Sequence, residues 1–217
     1  IGFVTGFAMF GSIVYLSIYL QVVNGATPTT AGLQLLPLMA GILATSIVSG
    51  RLITRTGHYK VFPIIGTAMA TLGLLLLSRL DSETPYWQIA GAMLVLGAGL
   101  GNVMQVLVLA VQNSVPPREI GSATSGSTFF RSIGGAFGTA VFGAVWTARL
   151  SAELSAVMPP GSATQGDPSS SLAVIRALPE GLQTSVLDAF ARAIDTTFLF
   201  AVPMALSFPI TPIACST

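Results

Sequence analysis

Polar and charged positions are confined to a few short stretches of this chain, and nearly everything between them is apolar. Residues 1–50 contain no Asp, Glu, Lys or Arg, and neither do 61–78 or 84–117. A helix needs roughly 20 predominantly apolar residues to cross the hydrocarbon core of a bilayer. Cutting the chain at its polar punctuation leaves six candidate spans, at about 1–22, 31–50, 61–79, 87–112, 121–147 and 192–213. The separators hold turn and breaker residues: Asn24-Gly25 ahead of Pro28, then RTGHYK, DSETP and SVPPRE. This pattern predicts an all-α membrane protein with six transmembrane helices. The separator from 148 to 191 is longer than the rest and contains MPPGSATQGDPSSS, which predicts a partly unstructured outer loop. A weakly amphipathic stretch from about Leu182 to Ala193 is expected on the membrane surface.

Composition points the same way. Of 217 residues, 52% are hydrophobic and only 8% charged, with a mean hydropathy of +0.79. Soluble domains carry roughly 25% charge, so there is too little polar cover for a water-soluble globule. Disorder is excluded by the opposite property, high hydrophobicity. A net charge of +1 argues against nucleic acid as a partner, since phosphate binding needs clustered Lys and Arg. The single Cys215 allows no intrachain disulfide, and the single His58 leaves no His-rich metal site. The chain opens at Ile1 inside an apolar run, without Met or a basic leader, and is expected to be part of a longer protein.

Basic residues in short loops set the orientation of membrane helices. The loop after the second span holds Arg51, Arg55 and Lys60 and no acid, and the loop after the fourth holds Arg118. Of the opposite loops, 24–30 has no basic residue and 79–86 sets Arg79 beside Asp81 and Glu83. Four against one predicts a cell-membrane protein with the second and fourth loops, and both ends of this segment, in the cytoplasm. Loop two reads GRLITRTGHYK over 50–60, where Gly50 and Gly57 suit the tight conformations of a short helix link. Arg51 and Arg55 are favoured by the helix dipole at the end of span two. They serve either topology alone or a latch that locks neighbouring helices on the inner face.

Two runs resemble the major facilitator superfamily. Gly50, Leu52, Arg55 and Gly57 form G-x-L-x-x-R-x-G, similar to the loop signature of that family, with Thr54 and His58 where the fuller version has an Asp and a second basic residue. QNSVPPREIGSATSGSTFFRSIGGAFGTAVFG, residues 112–143, resembles a run of the fourteen-span multidrug efflux branch, carried by Pro116, Gly121, Gly126, Arg131, Gly134, Gly135 and Gly138. The resemblance implies the C-terminal six-helix half of a drug:proton antiporter. It also implies a small-molecule substrate, the lipid bilayer and the N-terminal half as partners, and a proton gradient instead of a cofactor.

Individual residues admit structural and functional readings. Gly135, Thr139 and Gly143 recur at intervals of four, as do Gly134 and Gly138, a spacing that lets helix backbones approach closely in lipid. That serves static packing, or packing with a small rocking motion. Arg131 is the one charge between Ile120 and Ala148. Such a charge costs about 2.5–3.5 kcal/mol by insertion scales. It snorkels to the headgroups, or it is a cavity or gate residue that attracts an anionic group or fixes a carboxylate of the other half. Asn102 and Gln105, three apart, share a helix face and either bond a neighbouring helix or line a substrate path. Tyr15 and Tyr19 are interfacial aromatics or cavity wall. Asp195 is the one candidate coupling carboxylate in a span, a weak one near its outer start beside Arg192.

The function predicted is therefore transport of small hydrophobic or cationic molecules, drug efflux by proton antiport through alternating access, and no enzyme activity. Phe3, Phe7, Phe10, Leu36 and Met39 suit a greasy, promiscuous pocket, and equally a lipid face. Carriers of metabolites or sugars share the architecture, and a non-transporting membrane subunit is the remote alternative. A hydrolase lacks its G-x-S-x-G and a His within the spans, and a channel lacks a filter or a ring of acids.

Overall fold

The structure, a computed structural model, describes residues 2–56, 61–79 and 84–157, together with Val186 and Phe190. The described residues are helical, with no strand among them. Helix α1 runs over Gly2–Val22, α2 over Pro28–Gln34, α3 over Leu36–Thr56, α4 over Val61–Leu77, α5 over Tyr86–Asn113 and α6 over Ile120–Val157. A 3-10 turn, Pro117–Glu119, leads into α6. The expected span at 192–213 lies outside the described residues.

Local chemistry explains the ends. Past α1, Gly25 has φ +62°, and the Ala26 amide reaches back six residues to the Leu20 carbonyl at 3.2 Å. That is the left-handed glycine cap which closes the orphan carbonyls of a helix end. Thr27 opens α2, its hydroxyl accepting from the Thr30 amide at 3.3 Å with Pro28 in the first turn. The span predicted at 31–50 is interrupted at Leu35 and then continues to Thr56. Pro37 explains the break, because it has no N–H to offer the carbonyl four residues earlier. The stretch Pro28–Arg55 is nonetheless one of three among the described residues long and apolar enough to cross a bilayer, with Gly2–Val22 and Tyr86–Asn113, and α6, where a span was expected at 121–147, is not one of them. The 17 residues of α4 rise about 26 Å, slightly less than a hydrocarbon core.

Helix α5 is the spine of one block. A Cβ on Gly97 would run into the Leu38 carbonyl of α3, and one on Gly41 would lie 2.6 Å from the Leu94 carbonyl. The Ser46 hydroxyl donates to the Gly101 carbonyl at 3.1 Å, tying the two helices further along. On its other side, α5 meets α4: a Cβ on Gly66 would sit 2.9 Å from the Gly99 carbonyl, and one on Gly73 would sit 2.7 Å from Leu96. The pairings show α3 parallel to α5 and α4 antiparallel to it. A second block pairs α1 with α6, also parallel, since Phe3 meets Gly134 and Phe7 meets Gly138. Burial follows these seams, with Leu16, Leu20, Leu74, Ile89, Met93, Leu96 and Phe142 in one apolar core.

Candidate functional site

Helix α6 carries more Ser, Thr and charged residues than any other described helix. Its face toward α1 is built from residues without bulk. Cβ atoms on Gly134 and Gly138 would run into the carbonyls of Phe3 and Phe7, and one on Gly135 would meet the Phe10 ring at 2.5 Å. Reciprocally, a Cβ on Gly11 would meet the Phe142 ring at 2.7 Å, and Gly143 leaves room for the Tyr15 hydroxyl. That hydroxyl donates to the Thr139 carbonyl at 3.2 Å, while its ring stacks 6.1 Å from Phe142. Such close approach replaces the hydrophobic drive that helices lack in lipid with van der Waals contact.

Arg131 sits in this seam. Gly6 of α1 has no side chain because a Cβ there would run into the Arg131 carbonyl. Arg131 is half-buried, and among the described residues it has no hydrogen bond or ion pair. It lies eleven residues past Ile120. At 1.5 Å per residue that is about 16 Å along α6 from its start. Beside it, α6 bounds an open depression of about 650 Å³ lined by Gly121, Thr124, Ser125, Thr128, Phe129 and Ser132, with Ile120 at its end. Ser125 and Thr128 donate to carbonyls of their own helix, Gly121 at 2.7 Å and Thr124 at 3.0 Å. The Thr124 hydroxyl is buried and has no partner. The exposed Phe129 adds an aromatic wall.

Other predicted residues fall elsewhere. Asn102 and Gln105 meet different neighbours: Asn102 is buried against Gly66 of α4, whereas Gln105 packs against Gly50 of α3. They part because α5 has a neighbour on each side. Tyr15 and Tyr19 are buried in the core. The sequence places Gly50, Arg51 and Arg55 in a loop, but all three belong to the last turns of α3, and Gly50 needs no left-handed backbone. Arg51 and Arg55 are exposed at that end. Gly57 and Asp195 lie outside the described residues. Gly121 and Gly126 of the packing motif have no atom within 4 Å of the place a Cβ would take. Pro116 is exposed and starts the 3-10 turn, its carbonyl accepting from the Glu119 amide at 2.9 Å. Of the expected surface stretch, Val186 and Phe190 are described, and both are buried, with Phe190 edge-on to Trp146 at 6.2 Å.

Two sets of residues escaped the sequence reading. The glycines of α1 and α5 at positions 6, 97 and 101 were signalled by their four-residue spacings, Gly2 to Gly6 and Gly97 to Gly101. The hydroxyl groove was signalled by Thr124, Thr128 and Ser132, again four apart.

Comparison with known proteins agrees with this helical, glycine-seamed arrangement. The Major Facilitator Superfamily model matches residues 1–139. An uncharacterised MFS-type transporter of Mycobacterium tuberculosis is 42% identical over 202 residues, covering 93% of this chain and 29% of that protein. A multidrug transporter protein of Bacillus subtilis is 39% identical over 151 residues, 69% of this chain and 27% of its own length. A tetracycline resistance determinant of Streptomyces rimosus is 38% identical over 141 residues, 65% of this chain and 41% of its own length. The chain thus spans well under half the length of these relatives. With a match over most of its length and helices apolar enough to cross a bilayer, this membrane chain belongs to the major facilitator superfamily, a family of transporters and not of enzymes.

Proposed function

We propose that this chain forms the C-terminal half of a transporter that exports small hydrophobic molecules, with six membrane spans when 192–213 is included. The whole carrier would work by alternating access, this half rocking against an N-terminal half beyond the present sequence. The observation that carries the reading is the open groove of about 650 Å³ on α6, lined by hydroxyls and an aromatic ring, with the half-buried Arg131 next to it in sequence. A helix facing only lipid gains nothing from such residues, whereas a helix lining a solute path does. Relatives named as a multidrug transporter protein and a tetracycline resistance determinant support export as the direction. A proton gradient is the proposed energy source. Asp195 remains the only acid within a span of this segment, so the coupling carboxylate is assigned to the other half.

The test uses the full-length protein in a bacterial host stripped of its own efflux pumps. Energised cells should expel preloaded ethidium or tetracycline at least several-fold faster than cells with an empty vector. A protonophore should abolish the difference. Equal efflux with and without the protein, for both compounds and at verified membrane abundance, would reject drug export.

A further inference from the structure

We propose that α2 is a hinged arm that swings about Leu35–Pro37, and that Tyr86 of α5 is the clamp holding it in its present position. The inference concerns how this chain moves and stands whatever molecule is transported. It begins at the helix break. Leu35 keeps a helical backbone, with φ −81° and ψ −5°, yet α2 ends before it and α3 starts after it. Pro37 has no N–H for the Leu33 carbonyl, so the ladder that would make 28–56 one rigid rod lacks a bond here. The Leu35 amide is shared between the Ala31 and Gly32 carbonyls, at 3.1 and 3.3 Å. Shared bonds of that kind belong to helix ends, not to helix interiors.

The other end of α2 is free to turn as well. Asn24 and Gly25 link it to α1, and Gly25, at φ +62°, is the residue type whose backbone rotates at least steric cost. Between these two points α2 holds itself together. The Thr27 hydroxyl accepts from the Thr30 amide at 3.3 Å, and the Thr30 hydroxyl donates to the Thr27 carbonyl at 3.0 Å. A short helix capped by its own residues keeps its shape when it moves. Its packing is slight. Ala31 is its one buried residue, Leu33 is exposed, and a Cβ on Gly32 would meet nothing within 4 Å. Just past the break the packing becomes tight: Leu38 is fully buried, and a Cβ on Gly97 of α5 would run into its carbonyl. Segments with few buried apolar contacts open at low free energy, so the loosely and firmly held parts meet at Pro37. One bond ties α2 to a distant part of the chain, from the Tyr86 hydroxyl to the Gln34 carbonyl at 3.0 Å. Because Gln34 is the last residue of α2, that bond sets the bend at the break directly.

The test uses purified full-length protein in a cysteine-free background that includes Cys215→Ser. Spin labels on cysteine pairs are read as distance distributions by pulsed electron paramagnetic resonance. Leu33→Cys with Leu94→Cys follows α2 against α5, and Leu43→Cys with Leu94→Cys follows α3 beyond the break. All three positions are exposed, so the labels open no core. Tyr86→Phe removes one hydroxyl. It should raise the Leu33–Leu94 population away from the wild-type distance roughly fivefold, about what one net hydrogen bond is worth. The Leu43–Leu94 distribution should stay as in wild type. Adding Pro37→Ala should reverse the broadening, because alanine restores an N–H for the Leu33 carbonyl and joins the two helices. Unchanged Leu33–Leu94 distances in Tyr86→Phe would overturn the clamp. Equal broadening of both pairs would overturn the hinge, since the whole bundle would then have loosened. So would broadening that persists in Tyr86→Phe with Pro37→Ala. These distances are read without transport, so they decide the matter whether or not drug export is found.

Discussion

Glycine is the residue that decides how closely the helices of this chain meet, and it acts at some positions and not at others. Gly138 lets the Phe7 carbonyl lie against α6, while Gly121, near the start of the same helix, faces open space. Gly138→Ala should therefore force α1 and α6 apart and lower the melting temperature of the purified full-length protein. Gly121→Ala should leave it unchanged or raise it slightly, because Ala favours a helix over Gly by about 1 kcal/mol. Thermal unfolding followed by a thiol-reactive dye on both variants checks this, and equal melting temperatures would contradict the packing described. Sequence spacing made Gly134, Gly135, Gly138 and Gly143 legible as one small-residue surface. It did not separate them from Gly121 and Gly126, because a period of four says which residues share a face and not which face has a neighbour. The same limit misled the pairing of Asn102 with Gln105. Arg131 stood out in the sequence as an isolated charge, but its position against Gly6 required the partner helix to be seen.

At the scale of elements, hydropathy located the helices and missed what happens inside and beyond them. Pro37 divides the second apolar run at Leu35, a break that the unbroken apolar composition from Ala31 to Gly50 concealed. Helix α6 runs on to Val157, ten residues past the point where the apolar pattern fades. Its 38 residues rise about 57 Å, far more than the roughly 30 Å of a hydrocarbon core. Propensity explains the extension, since TARLSAELSAV holds good helix formers after the lipid-facing stretch ends. Helix α5 shows how composition becomes architecture: its L-G-A-G-L-G run, from Leu96 to Gly101, offers glycine to α3 at Gly97 and Gly101 and to α4 at Gly99. Gly97→Val should place two methyl groups against the Leu38 carbonyl and abolish most folded protein. Gly91→Val, on the same helix with nothing within 4 Å, should express normally. Monodispersity on size-exclusion chromatography of the two variants distinguishes these outcomes, and similar profiles would mean that α3 and α5 do not pack at Gly97.

Across the whole molecule, helix direction and charge give independent accounts of sidedness. The contacts alone make α3 parallel to α5 and α4 antiparallel to both, so the turns at 24–30 and 84–85 share one side of the membrane. The Tyr86 hydroxyl, at the start of α5, donates to the Gln34 carbonyl at 3.0 Å and holds these ends together. The opposite ends, with Arg51, Arg55 and Arg118, meet the other face. Basic residues favour the cytoplasm, so we propose that face as the inner one and the far end of α6 as outer. Both Arg55 and Ser151 are exposed, so neither substitution opens a core. In a Cys215→Ser background of the full-length protein, Arg55→Cys should react with a membrane-impermeant maleimide only in inside-out vesicles. Ser151→Cys should react in intact cells. Since a helix that crosses the membrane must carry its two ends to opposite faces, labelling of both positions from a single side would contradict the directions of α3 and α6 at once, and with them the two parallel pairs on which the packing of this chain depends.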